Sequence, residues 1–295
     1  MDWLNHVMDI NDPSLGESDT TQFQEMWGIG TDSPNPDSAR FGSQKTDNTV
    51  HSFNIGAKPV KLYFSPSDNT ENYIENAVAS ADTSIYFSLL VFTSNGLYST
   101  IENRHSAGVE DIRGVINDVN STGSEYSNLR NLSNSEVFSY GGSNTMHNKY
   151  GLVDAPFPTS KPTTITGSHN WSAAANESND ENTLIIDDIY IANQYMQEFK
   201  KVYNESGGTT SFVVPVISDV KEEGLYPDKI KLNQNYPNPF NPLTTITFFL
   251  PQREVVDLSA YNMLGEKVLT IYQGEAQAGL NVFDFNVNDV PGGLS

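Results

Sequence analysis

The sequence predicts an α/β protein in which a layered α/β lobe precedes a small β-sandwich. Between residues 59 and 216, short runs rich in β-branched and aromatic residues alternate with amphipathic segments, which is typical of a sheet covered by helices. Residues 84–92 are almost continuously apolar, as expected for a strand at the covered centre of a sheet. After residue 230, alternating strand patterns are separated by Pro, Gly and Asn turns, which predicts the sandwich.

The strands and helices of the lobe follow from hydrophobic periodicity. The helix after the first strand has its apolar residues on one stripe, and Asp68 or Asn69 is its expected N-cap. Further helices are expected at residues 97–105 and 191–202. The expected strands are residues 60–64, 84–92, 112–116, 149–153, 163–166 and 183–186.

The most informative residues lie on two adjacent short strands. His147, Lys149 and Asp154 form the pattern H-x-K-x4-D, and Gly167-Ser168-His169-Asn170 forms G-S-x-N. His147 and Lys149 share one face because side chains alternate along a strand. If the second strand pairs with the first, Ser168 and Asn170 emerge beside them. The pattern therefore predicts a phosphate pocket.

These residue types suit the chemistry of a phosphodiester. Lys149, Ser168 and Asn170 can surround the anionic oxygens, and each hydrogen bond to a charged group contributes about 1.5–3 kcal/mol. His147 can attack phosphorus through a ring nitrogen and form a covalent intermediate. Glu181 is the candidate to accept the other imidazole N–H. These residues form no metal-ligand pattern, and the reaction needs no metal or cofactor.

In this order, the residues resemble the HKD motif of the phospholipase D superfamily. Trp171-Ser172 and Glu181-Asn182 also fall where such proteins carry similar residues. The sequence departs from the family at one point: twelve residues, 155–166, separate Asp154 from Gly167, whereas the family often has about six. We expect a surface loop there, since extra loop length costs little free energy. The resemblance implies catalytic roles for His147, Lys149, Asp154, Ser168, Asn170 and Glu181.

The resemblance also implies a second catalytic histidine. Such proteins join two HKD lobes, or dimerise a single lobe, so that one His attacks and the other protonates the leaving oxygen. This chain supplies His147 alone at such a motif. We therefore expect its partners to be a phosphodiester substrate and either a second HKD lobe in a longer parent protein or a second copy of the chain.

A weak internal repeat concerns the N-terminus. Residues 5–10 echo residues 182–187, and residues 22–27 echo residues 198–203. Residues 1–28 are therefore predicted to be the last strand and helix of a preceding lobe. Two unrelated amphipathic helices are the alternative.

The C-terminal module carries a second resemblance. QNYPNPFNP, beginning at Gln234, and YNMLGEKV, beginning at Tyr261, resemble the C-terminal sorting domain of the type IX secretion system of Bacteroidetes-like bacteria. That family usually continues through further strands, so we expect an incomplete Ig-like sandwich and a chain clipped at both ends. The resemblance implies export by the type IX secretion machinery to the cell surface or medium. An ordinary Ig-like accessory domain is the alternative.

The chain is therefore expected to divide into five parts. Residues 1–28 are the remnant of a preceding lobe, residues 29–58 and 217–229 are linkers, residues 59–216 are the catalytic lobe, and residues 230–295 are the truncated sorting domain.

Charge and composition bear on the substrate. Acidic residues outnumber basic ones 37 to 16, which gives a net charge of −21 and repels polyanions such as nucleic acid. Cysteine is absent, and no apolar run reaches membrane-spanning length. The sequence thus predicts phospholipase D-like hydrolysis of a phosphodiester, with phospholipid head groups favoured. The alternatives are an extracellular endonuclease of the same superfamily and a non-catalytic surface-binding module.

Overall fold

The computed structural model describes residues 3–5, 7–28, 32–156, 162–210, 230–232, 235, 242–261, 265–276 and 279–286. The chain forms two compact units, Met1–Val214 and Pro215–Ser295. None of the described helices is long and apolar enough to cross a membrane.

The first unit has strands in two sheets. The strands are β1 Trp3–Leu4, β2 Ser52–Ile55, β3 Lys58–Ser65, β4 Ser84–Leu89, β5 Asp111–Ile116, β6 Glu136–Ser139, β7 Thr145–Met146, β8 Lys149–Val153, β9 Thr163–Gly167 and β10 Glu181–Asp187. The larger sheet has the order β2-β3-β10-β9-β8-β4-β5-β6, and β1 pairs with β7 in the smaller one. Neighbours in the larger sheet are antiparallel except for the parallel pairs β4–β5 and β5–β6.

Helices cover both faces of the larger sheet. They are α1 Pro13–Trp27, α2 Thr70–Ala79, α3 Asn95–Ser106, α4 Tyr126–Arg130, α5 Ala173–Glu177 and α6 Ile189–Glu205. On one face, residues of α2 and α3 pack with Phe87 of β4 and with Trp171. On the other face, residues of α6 pack with Tyr86 and Tyr150. Adjacent residues of β4 thus belong to opposite cores, as strand alternation requires.

Antiparallel pairing brings several strand ends together. The register pairs Ser65 with Glu181, Gly167 with Thr183, and Leu89 with Lys149. The C-terminal ends of β3, β4 and β9 and the N-terminal ends of β8 and β10 therefore lie at the same end of the sheet. We call this the motif end.

The structure confirms the predicted strands and helices of the lobe and corrects some boundaries. β4 ends at Leu89 rather than at residue 92, because Phe92 instead forms an isolated parallel bridge with Trp171. Asn69 is the N-cap residue of α2, but its side chain makes no capping hydrogen bond. Asp68 does not cap α2 either, since its carboxylate accepts from the Phe64 N–H at 2.7 Å.

The N-terminal residues are part of the first unit. The helix expected at residues 22–27 is confirmed and begins earlier, at Pro13, where the Asp12 carboxylate accepts from the N–H groups of Ser14 and Leu15. The strand expected at residues 5–10 is wrong for residues 7–10, which have no strand structure. The interpretation of residues 1–28 as a remnant of an earlier lobe stays a prediction.

The linker predicted at residues 29–58 needs correction. Ser52–Ile55 form the first strand of the larger sheet, and the Lys45 side chain is buried. Polar composition suggested an irregular connection here. The polar side chains instead bond to α1 and to the lobe, as described below.

The second unit contains two small sheets. Its strands are β11 Lys231–Leu232, β12 Leu243–Leu250, β13 Glu254–Tyr261, β14 Lys267–Ala276 and β15 Gly279–Asn286. One sheet has the order β11-β12-β15 and the other pairs β13 with β14. Phe248 and Leu250 of the first sheet cluster with Ala276 and Tyr272 of the second. The Ig-like assignment stays a prediction. Residues 236–241, which belong to the QNYPNPFNP motif, lie outside the described residues.

Candidate active site

His147 and Lys149 meet at the start of β8. The Lys149 Nζ donates to the His147 carbonyl oxygen at 2.9 Å and lies 3.2 Å from Nδ1 and 3.3 Å from Nε2 of the same residue. Lys149 is buried and His147 is partly exposed. The predicted pairing of β8 with β9 is confirmed, with Tyr150 opposite Thr166. Residues 168–170, which follow β9, therefore leave the sheet beside the start of β8.

The electrostatics of this pair favour a neutral imidazole. Burial lowers the pKa of His147, and the Lys149 ammonium lowers it further, while the Glu181 carboxylate opposes both effects. Burial also lowers the pKa of Lys149, again against Glu181. A neutral imidazole keeps a nitrogen lone pair available for attack on an electrophile.

Ser168 is fixed to the start of β10. Its N–H donates to the backbone oxygen and the Oδ1 of Asn182, both at 3.1 Å, and its Oγ accepts from the Asn182 N–H at 3.0 Å. Gly167 permits this approach, because it has φ +149° and a Cβ there would lie 2.2 Å from the Asn182 oxygen. The Ser168 hydroxyl retains its own hydrogen for donation.

Asn170 lies two residues further along the same segment. Its Oδ1 is buried and has no hydrogen-bond partner within the part of the chain that the structure describes. The amide NH₂ group of Asn170 can donate to an anion. Asn170 thus has the donor chemistry that the sequence predicted.

Buried aromatic rings support the segment of residues 168–170. Trp171 is fully buried, with its ring centroid 5.8 Å from that of Phe87 and 5.2 Å from that of Phe92. The rings fit because glycines occupy the neighbouring strand positions: a Cβ on Gly151 would lie 2.7 Å from Trp171, and one on Gly114 would lie 2.0 Å from Phe87. The sequence places Trp171 within the motif, but no local pattern indicates this packing role.

Glu181 is brought to the motif end, as predicted. It is the first residue of β10 and pairs with Ser65 of β3. Its Oε1 accepts from Asn179 Nδ2 at 3.3 Å, and its charge raises the pKa of both His147 and Lys149. It can therefore stabilise a positive imidazole during a reaction.

Asp154 is not brought to the site, so its predicted catalytic role is wrong. It follows β8 at the opposite end from His147, seven residues away, or about 20 Å along an extended strand. Its buried carboxylate accepts from the N–H groups of Asp82, Thr83 and Ser84 and from the Thr83 hydroxyl. Its function is to fix the entry into β4.

A buried polar network behind β8 was missed by sequence reasoning. Asn148, which is fully buried, donates from Nδ2 to Glu198 Oε1 at 2.8 Å and to Ser88 Oγ at 3.2 Å. The Tyr150 hydroxyl also donates to Glu198, and burial raises the pKa of that carboxyl. Asn148 and Tyr150 alternate with His147 and Lys149, so the network fixes the strand from the opposite face.

His169, between Ser168 and Asn170, is a buried residue rather than a reacting one. Burial lowers the pKa of His169 to about 4, and this effect outweighs the opposing backbone hydrogen bonds with Asn170 and with His169 itself. It is neutral at physiological pH.

One group of possible metal ligands occurs among the described residues, and it contains none of the motif residues. It comprises Asp47, His51 and Asp68, whose ligand atoms lie within 4.8 Å of one another. These atoms already bond to protein: His51 Nδ1 lies 2.9 Å from the Leu62 oxygen, and Nε2 lies 2.7 Å from Asp47.

Comparison with known proteins identifies the lobe. Residues 74–203 match a family model described as "Cardiolipin synthase, PLD-like domain". Mitochondrial cardiolipin hydrolase of Xenopus tropicalis is 30% identical over 153 residues, which cover 50% of this chain and 69% of that protein. The chain belongs to the phospholipase D superfamily. The resemblance found in the sequence is thereby confirmed for the lobe.

Two further relatives carry related names. Phospholipase D of Rickettsia conorii is 28% identical over 149 residues, covering 49% of this chain and 70% of that protein. Among solved structures, Nuc from Salmonella typhimurium, a phospholipase D family member, matches with 23% identity and a TM-score of 0.44, covering 52% of this chain and 99% of that chain. The matches to the two curated relatives span about half of this chain. Nothing in these comparisons concerns a secretion sorting domain.

Proposed function

We propose that the lobe hydrolyses phosphodiesters through a covalent phosphohistidine intermediate on His147. The observation that carries the proposal is the contact between Lys149 Nζ and the imidazole of His147, next to a turn that presents Ser168 and Asn170. This arrangement combines a neutral nucleophile with a cation and donors for the phosphate oxygens.

In the proposed first step, a ring nitrogen of His147 attacks phosphorus and the bond to the leaving oxygen breaks. Lys149, Ser168 and Asn170 stabilise the charge on the non-bridging oxygens, and Glu181 stabilises the imidazole as it becomes positive. The leaving alkoxide takes a proton from a general acid. In the second step water gives a proton to the group that acted as general acid and attacks phosphorus, and the bond to His147 breaks, so that the products are an alcohol and a phosphomonoester.

The general acid is proposed to be the His147 of a second copy, or a histidine of another HKD lobe in a longer parent protein. General acid assistance commonly contributes 10²- to 10⁴-fold in rate. We therefore expect low activity from the isolated monomer, and specific activity that rises with protein concentration in parallel with dimer formation. Full turnover by a chain that remains monomeric in sedimentation would contradict this.

A phospholipid is the proposed substrate, and two observations support it. The net charge of −21 opposes the approach of a polyanion, and Asp180 and Glu181 place two carboxylates at the start of β10, at the motif end. The curated relatives described above are named as a cardiolipin hydrolase and a phospholipase D. The runner-up is an extracellular endonuclease, and the remaining alternative is a non-catalytic surface-binding module.

The test is an assay of the chain on phosphatidylcholine vesicles and on DNA in parallel, with His147→Ala and a matched control, His105→Ala. His105 lies at the end of α3, where it bonds to the Ser133 carbonyl oxygen. Lipid cleavage that is lost only in His147→Ala supports the proposal, whereas DNA cleavage with the same dependence favours the nuclease. Specific lipid binding by both variants without cleavage, at concentrations where the chain is dimeric, would favour the binding module.

We also propose that the chain is exported by type IX secretion and acts at the cell surface or outside the cell. The support is the sequence of the C-terminal module and its strand pattern. Fusion of residues 230–295 to a reporter protein in a bacterium with this secretion system tests the proposal. Export of the reporter supports it. Retention of this fusion, in a strain that exports a reporter carrying one of its own sorting domains, would contradict it.

A further inference from the structure

A buried lysine from outside the motif reaches the motif end. The Lys45 side chain is 1% exposed, and its ammonium lies 2.8 Å from the Ser65 carbonyl oxygen, 3.1 Å from Gln22 Oε1 and 3.2 Å from Asp180 Oδ1. Two of these contacts are hydrogen bonds, to Ser65 and Gln22, and the Asp180 carboxylate supplies the opposite charge. Burial of a charge is costly without such partners, so this geometry is strongly determined.

The segment that carries Lys45 is attached to α1. Glu25 of α1 accepts from the Thr46 N–H at 3.0 Å and from the Thr46 hydroxyl at 3.1 Å, and it also accepts from Asn48 Nδ2. These contacts lie immediately C-terminal to Lys45. The position of the ammonium is therefore fixed by the N-terminal helix.

On the other side, Lys45 contacts the residues that determine the position of Glu181. Asp180 precedes Glu181 in the chain, and its Oδ1 also accepts from the Gly42 N–H at 2.9 Å. Ser65 pairs with Glu181 across the sheet, and its hydroxyl donates to the Asn179 oxygen at 3.2 Å. Asn179 in turn donates to Glu181.

We infer that Lys45 is a positioning residue of the active site, which holds Ser65 and Asp180 together and thereby keeps Glu181 close to His147. The inference rests on the proposed roles of His147 and Glu181. It assigns a function to the N-terminal segment, whose sequence suggested only a remnant and a linker. Lys45 acts through Glu181 and does not touch the reacting atoms.

The test measures the pKa of the His147 imidazole by NMR, which does not require turnover, together with kcat and KM. Because Glu181 raises this pKa, Glu181→Gln is expected to lower it, and Lys45→Met is expected to lower it in the same direction. The double variant should show no further fall beyond Glu181→Gln. We expect kcat to fall about 10- to 100-fold in Lys45→Met with little change in KM, since small misplacements of catalytic groups have effects of this size.

Lys58→Met is the matched control. Lys58 is also ion-paired with an aspartate, Asp188, but it lies at the opposite end of β3 from Ser65. This variant should leave the pKa of His147 and kcat unchanged. If Lys45→Met does not fold, Asp180→Ala removes the partner of Lys45 at a partly exposed position and should lower the pKa of His147 in the same way.

The outcomes separate this inference from the proposed function. An unchanged His147 pKa in folded Lys45→Met or Asp180→Ala, with a lower pKa in Glu181→Gln, would overturn the role of Lys45 and leave the proposed function intact. An unchanged pKa in Glu181→Gln would overturn the link through Glu181. A lowered pKa in Lys45→Met without turnover by any form of the chain would support the positioning role while contradicting the proposed function.

Discussion

Replacement of Asp154 by asparagine should reduce stability without removing the chemistry. The Asp154 carboxylate is buried and accepts from three consecutive backbone N–H groups and one hydroxyl at 2.7–3.2 Å. The asparagine amide would keep one acceptor oxygen and lose the charge. Asparagine also tolerates the φ of +54° at this position, so the substitution tests the carboxylate rather than the backbone.

The magnitude follows from the hydrogen bonds. Bonds to a charged acceptor contribute about 1.5–3 kcal/mol each, and neutral ones about 0.5–1.5 kcal/mol. Three bonds to Oδ1 would become neutral. The Asp82 N–H, which bonds to both carboxylate oxygens, would keep a neutral contact at 3.2 Å and face an NH₂ group in place of the other oxygen. Allowing for non-additivity, we expect the free energy of unfolding to fall by about 2–4 kcal/mol.

Urea denaturation followed by tryptophan fluorescence measures this change. All three tryptophans, Trp3, Trp27 and Trp171, belong to the first unit, so the signal reports on the lobe. For a slope of about 2 kcal/mol/M, the midpoint should fall by about 1–2 M. At temperatures where the variant is folded, kcat should change by less than about threefold. Loss of turnover with an unchanged urea midpoint would refute a purely structural Asp154.

Two other predictions concern the turn after β9. Gly151→Ala places a Cβ 2.7 Å from the Trp171 ring, so it should lower the free energy of unfolding by about 1–3 kcal/mol and weaken the binding of inorganic phosphate. In the control Gly16→Ala no atom lies within 4 Å of the new Cβ, so neither loss is expected. Equal phosphate affinities of the two variants would contradict the role of the ring. The pKa of His169 is about 4 in the folded protein and 6.5 in the unfolded chain, so the unfolded state binds the proton more tightly. Protonation of His169 should therefore reduce the free energy of unfolding by up to about 3 kcal/mol as pH falls from 6.5 to 4. In His169→Gln that loss should disappear, and parallel stability profiles for both proteins would show the inference to be wrong.

Sequence reasoning located the site because its signal is local. His147 and Lys149 are two residues apart on one strand, and antiparallel pairing to the next strand is enough to bring Ser168 and Asn170 beside them. Glu181 was predicted because it lies at a strand start just downstream, and the pairing of β10 with β9 brings that strand start to the same end of the sheet. The apolar runs of the sheet were long enough for the hydrophobic pattern alone to identify them as strands.

The errors arose where tertiary contacts decide the role of a residue. Asp154 belongs to the motif by spacing, but only the direction of β8 shows that it lies at the other end of the sheet. Lys45 occurs in a polar segment without periodicity, and its acceptors are 20 and 23 residues away or further along the chain. Asp68 was a reasonable cap by residue type, but the Phe64 N–H competes for its carboxylate. No local pattern could reveal these partners.

The decisive measurement is the identification of a covalent adduct by mass spectrometry after rapid quenching with a phosphodiester substrate, at concentrations where the chain is dimeric. We expect the phosphoryl group on the peptide that contains His147, in amounts that rise and decay with turnover, and no adduct or turnover in His147→Ala. Turnover that persists in His147→Ala, or an adduct on a different residue, would contradict the assignment of His147 as the nucleophile.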